Sequence, residues 1–215
     1  MDPILRRSVV LYLTHVMTWS GILGRFLVTR DWPAFEVIPL FVPVWLASSV
    51  LFSDREESYA FLRTLPVTDR RIARTKFGLI LGAGALYWLL LMLAVFVRWD
   101  GDRTGSAALV YLTVVAACSP LVAAGVQILF WRFGPSIATP LVVVALGVSL
   151  VLIIVHTASL GHAAGWPVLM QAAWIGRLAG APWLSVPAIA AAAVLAFLGL
   201  MRAGVRVKAS SEACL

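Results

Sequence analysis

The 215-residue chain is 61% hydrophobic and only 13% charged, with a mean hydropathy of +0.95, which excludes an ordinary soluble domain, where the apolar share is nearer half. Its net charge of +7 does not point to nucleic acid, because topology accounts for basic loops in a membrane protein. The two cysteines, Cys118 in an apolar run and Cys214 near the C-terminus, offer neither a disulfide framework nor a metal-ligand spacing.

In chain order, Arg6 and Arg7 precede the first apolar run, and no small-residue cleavage site follows it, so a cleaved signal peptide is not expected. Six membrane spans are predicted, at 8–28, 35–53, 77–97, 106–130, 136–156 and 184–202. Each is close to the length of about 20 residues that crosses a hydrocarbon core as a helix. Only helices and closed barrels satisfy every backbone donor and acceptor there. The expected fold class is therefore an all-α integral membrane protein, one transmembrane domain over residues 1–215. In the first run Thr14, Thr18, Gly21, Arg25 and Thr29 recur every three or four residues. That stripe fits a span with its polar face toward the bundle, or a helix lying partly along the interface. His15 in this run is the main intramembrane ionisable residue, either touching substrate or hydrogen-bonded to a neighbouring helix. Pro39 and Pro43, four apart in the second span, predict a kink that can act as a hinge.

The connection 54–76 concentrates charge between two apolar runs. Ser53 with Glu56 forms an S-x-x-E capping box. Asp54, Glu56 and Glu57 then place negative charge at the positive end of a helix dipole. Tyr59 and Leu62 share a face, so a short amphipathic helix is expected, ending at Leu65 and Pro66 because the residue before proline resists helical geometry. Thr68 is expected to cap a second helix that starts at Asp69, carries Arg70, Arg71, Arg74 and Lys76, and runs on into span 3.

Within span 3, Gly78 and Gly82 make a G-x-x-x-G of the kind that lets membrane helices approach closely. Ser119 and Gln127 in span 4 and Ser149 in span 5 either line a pathway or bond to neighbours. Residues 157–183 are too apolar and tryptophan-rich for a solvated loop; Gly165, Pro167, Gly176, Gly180 and Pro182 break them up, and a short interfacial or re-entrant helix around 167–179 is expected. His156 and His162 straddle a helix end six residues apart and make a poor metal pair. The Ala-rich run 188–193 and Gly199 supply small contact residues in the last span.

Orientation follows the lysines and arginines. With the N-terminus inside, twelve lie on the cytoplasmic side (Arg6, Arg7, Arg55, Arg63, Arg70, Arg71, Arg74, Lys76, Arg132, Arg202, Arg206, Lys208) and five opposite (Arg25, Arg30, Arg98, Arg103, Arg177). Both termini are thus expected in the cytoplasm, in a multi-pass cell (inner) membrane protein.

The segment "DREESYAFLRTLPVTDRRIARTKF" resembles the cytoplasmic connection after the second span in ABC-2-type permeases, the membrane subunits of ATP-binding-cassette exporters. The match runs through Glu56 and Glu57, then Leu62, Leu65 and Pro66 of an L-x-x-L-P centre. Thr68, Arg70, Ile72 and Lys76 complete an S/T-x-R-x-I-x-x-x-K exit. The resemblance implies that Asp54, Glu56, Glu57, Tyr59, Leu62, Leu65 and Pro66 form a coupling helix seated in a groove of a separate ATPase dimer. It also implies a second permease chain completing the pathway, as homodimer or related heterodimer, with ATP and magnesium on the partner. This chain has no G-x-x-x-x-G-K-S/T phosphate loop, so no cofactor, metal or catalytic residue of its own is expected. No Asp or Glu lies near the middle of a predicted span, which disfavours an ion-coupled carrier. The alternatives are a membrane-embedded enzyme modifying lipids or isoprenoids, and a scaffold or regulator that transports nothing. The cargo is not legible.

Overall fold

The computed structural model describes residues 68–97, 103–160 and 173–212. Spans 8–28 and 35–53 lie outside them, and so do His15, Pro39, Pro43 and residues 161–172. The connection up to residue 67, with Asp54, Glu56, Glu57, Tyr59, Leu62, Leu65 and Pro66, lies outside as well. The described residues form five helices and no strand: α1 (Asp69–Val97), α2 (Arg103–Phe133), α3 (Pro135–Leu160), α4 (Ala173–Ala179) and α5 (Pro182–Glu212).

Local chemistry sets the helix ends. The Thr68 carbonyl accepts the first two helical hydrogen bonds, from the amides of Arg71 at 2.8 Å and Ile72 at 3.1 Å. Asp69 follows in the first turn, where the dipole favours an anion. At the other junction α2 stops at Gly134, whose φ of 76° is a left-handed conformation that a side chain resists. Its amide bonds back to Phe130 O at 2.9 Å, and Pro135 then takes the first position of α3, where a missing N–H costs nothing. One residue therefore separates two helices of 31 and 26 residues.

Among the described residues three helical stretches are long and apolar enough to cross a membrane: Asp69–Leu93, Ser106–Phe133 and Pro182–Ser210. They contain all or most of the runs predicted at 77–97, 106–130 and 184–202, and this all-helical unit fits a membrane-embedded protein. The predicted run 136–156 falls within α3. Helix α5 continues to Glu212, well beyond the apolar run, and α1 begins eight residues before its own.

Helix α2 is the centre of the unit. It packs along α5 and α1, which also touch each other, and it carries α3 and α4 on its remaining flanks. Because lipid is as apolar as leucine, close fit rather than water exclusion holds such helices together. The α1–α2 seam shows that fit. A Cβ built on Gly84 would stand 3.1–3.2 Å from the Pro120 ring, so glycine and proline nest where the two helices approach. One turn on, Trp88 Nε1 donates to Thr113 Oγ1 at 3.3 Å while the Thr113 hydroxyl donates to Leu109 O at 2.7 Å. Ser119 is fully buried and donates to Val115 O at 2.9 Å. The Thr113 and Ser119 hydroxyls are thus satisfied by carbonyls of their own helix. Helix α3 touches α2 through Ala138 and Val142, against Val126 and Phe130, while Val143, Val144, Val148 and Val151 face outward.

The predicted Gly78–Gly82 contact is not made within the described chain. Both glycines face outward, and a Cβ on either would meet nothing within 4 Å. Two residues along a helix is about 200° around it, so Gly84 occupies the face opposite Gly82 and makes the close approach in its place.

Candidate functional site

The start of α1 and the ends of α2 and α5 converge at one end of the unit, where most of the described positive charge gathers. Phe77 on α1 anchors the convergence. It is fully buried, and its ring meets Trp131 of α2 edge-on at 5.6 Å and Phe197 of α5 at 5.9 Å, both at 80°. Gly204 of α5 makes room for it: a Cβ there would fall on the Phe77 ring and within 3.1 Å of Ile128 Cγ1. A single glycine thus sets the height at which α1, α2 and α5 meet.

One turn beyond this seat, Lys208 Nζ lies 3.7 Å from Asp69 Oδ2, with the two side chains only 10% and 16% exposed. The ion pair ties the first residue of α1 to the last turns of α5. Lys76 stands close enough to Lys208 for their like charges to act on each other. Arg70, Arg71 and Arg74 are exposed on α1, Arg132 on α2, and Arg202 and Arg206 on α5. Arg132 lies over the Phe133 ring at 5.3 Å, a favourable cation–π geometry. The arginines point out, and the lysines and Asp69 are drawn in.

Of the sequence-predicted residues, the structure brings Arg74 and Lys76 together with the basic residues of two other helices. Gln127 is buried in α2, one turn before Trp131. Three features escaped the sequence reading. The Gly204 notch is marked only by its spacing, seven residues after Phe197 and four before Lys208. The Asp69–Lys208 pair has a usable signal, since both were expected at the same membrane face. The buried Trp131 Nε1 and Tyr87 hydroxyl, each without a hydrogen-bond partner among the described residues, leave no trace in sequence. Among the described residues no three His, Cys, Asp or Glu side chains gather as metal ligands.

At the opposite end, the single Ser185 hydroxyl proton is shared between the carbonyls of Leu178 at 2.5 Å and Ala181 at 2.6 Å, fastening α4 to the start of α5. Ile175 of α4 is fully buried, whereas Trp174 and Trp183 face outward. That end is aromatic where the first is basic.

No protein-family model matches the chain, and no curated protein or solved structure matches it either.

Proposed function

We propose that this chain is the membrane subunit of an ATP-driven exporter, receiving the stroke of a separate ATPase through residues 54–66 and passing it to the helices described here. The resemblance of the Glu56-to-Lys76 segment to the coupling region of ABC-2-type permeases supplies the reaction class. The observation that carries it is the seating of α1. The acidic, proline-terminated segment runs directly into Thr68, which caps α1. The first turns of α1 are then fixed, by Asp69 to Lys208 and by Ala73 and Phe77, both fully buried. A displacement applied before Thr68 therefore moves α1 with α2 and α5 rather than bending a free helix end. On this reading the basic end faces the cytoplasm, the ATPase dimer docks there, and a second permease chain completes the pathway.

The test is co-purification of the tagged chain with an ATPase subunit, followed by ATPase assay in proteoliposomes. Replacing Glu56→Lys together with Glu57→Lys is expected to abolish stimulated ATP hydrolysis while leaving membrane insertion normal. Stimulation equal to wild type in that double variant overturns the proposal.

A further inference from the structure

The six exposed arginines are not scattered around the basic end. On α1 the outward stripe Leu93, Leu89, Gly82 and Gly78 runs straight into Arg74 and Arg71, at steps of three, four or seven residues. On α2 the outward positions Val122 and Leu129 lead to Arg132. On α5 Leu195 and Gly199 lead to Arg202 and Arg206. Among the described residues each outward apolar seam therefore ends in guanidinium groups turned sideways, toward whatever surrounds the helices.

Their heights agree as well. Phe77, Ile128 and Gly204 are in mutual reach and mark a common level. At a rise of about 1.5 Å per residue, Arg206 lies roughly 3 Å beyond that level, Arg74 roughly 4.5 Å and Arg132 roughly 6 Å. Three arginines on three helices thus share a layer about 3 Å deep, at the place where the apolar surface stops. The described acidic residues at this end are Asp69, already paired with Lys208, and Glu212 in the last turn of α5.

We propose that Arg74, Arg132 and Arg206 form a collar that binds the phosphates of anionic phospholipids in the leaflet at this end, with Arg71 and Arg202 widening it. Guanidinium is suited to this role because its planar fork meets phosphate oxygens two at a time. A docking protein would approach the end of the bundle, whereas these side chains continue its flanks, and flanks at headgroup depth meet lipid. The inference does not depend on what the protein transports.

The experiment is thermal unfolding of the purified full-length chain in a neutral detergent, titrated with phosphatidylglycerol or with phosphatidylcholine. Phosphatidylglycerol is expected to raise the unfolding temperature, phosphatidylcholine is not, and high salt is expected to weaken the effect. Each single change, Arg74→Gln, Arg132→Gln or Arg206→Gln, is expected to weaken phosphatidylglycerol binding about fivefold, and the triple variant on the order of a hundredfold. The single variants keep the test available should the triple variant fail to accumulate. Arg177→Gln, at the other end, is expected to behave as wild type. Equal stabilisation by both lipids sinks the proposal. So does an unchanged phosphatidylglycerol response in the triple variant, and if that variant has lost a protein partner, the collar is a protein contact.

Discussion

At the scale of single residues, one glycine and one hydroxyl carry opposite expectations. Gly204 faces a Phe77 ring already held between Trp131 and Phe197, so the ring cannot swing aside to admit a methyl group. Gly204→Ala is expected to cost about 1–3 kcal/mol through overpacking, read as a lower unfolding temperature in detergent. Adding Phe77→Leu should recover part of the loss, and strict additivity of the two changes would show that they do not touch. Gly82→Ala meets open space and replaces the more flexible residue inside a helix, so it should leave stability unchanged or raise it by about 0.5–1 kcal/mol. Tyr87 is the counterpart among polar groups. Its hydroxyl is buried without a partner among the described residues, a condition that costs about 1–3 kcal/mol. Tyr87→Phe is therefore expected to stabilise the protein in the same assay, and a clear loss of stability would mean the hydroxyl has a partner in the assembled membrane complex.

At the scale of elements, the joints between helices are as informative as the helices. The one-residue joint at Gly134 leaves α2 and α3 no slack, and its left-handed backbone is expected to penalise side chains unevenly. Gly134→Asn should be tolerated, since asparagine visits this region, whereas Gly134→Val should cost about 1–2 kcal/mol or more. Unfolding of the two variants side by side checks the ranking. The tie between α1 and α5 has a comparable signature. Asp69→Asn removes the carboxylate that faces Lys208 where the two side chains are only 16% and 10% exposed, and a loss of about 1–3 kcal/mol is expected, between the values for exposed and buried pairs. In combination with Lys208→Met the two losses are expected to be less than additive, because both changes break the same ion pair. These joints were partly legible beforehand. Thr68 and the Gly-Pro step announce themselves through turn and cap chemistry, which is local. The Asp69–Lys208 pair joins residues 139 positions apart (208 − 69), and nothing local announces it.

At the scale of the whole molecule, hydropathy located the three long helices because lipid selects apolar runs of a fixed length. It could not locate their ends on the basic side. Residues 69–76 and 203–212 continue the helices beyond their apolar runs, where hydropathy falls but backbone hydrogen bonding does not. The rotation of each helix was equally hidden. The four-residue spacing of Gly78 and Gly82 marks one face, while the described helices pack on the face of Phe77, Ile80, Gly84 and Tyr87. The gathering of basic residues at one end, by contrast, follows from the charge count along the chain. Labelling checks which side that end faces. With Cys118 and Cys214 replaced by serine, Ala209→Cys is expected to react with an impermeant maleimide only after the cell interior is opened, and Arg177→Cys in intact cells. The seat of Phe77 also limits how this unit can move. The notch at Gly204 accepts an aromatic plate at one height only, since a turn above or below it α5 presents Leu200 or Lys208 in the same place. Like a key in its slot, this fit opposes sliding of α1 along α5, so the stroke of the proposed exporter is expected to be a rocking motion and not a piston.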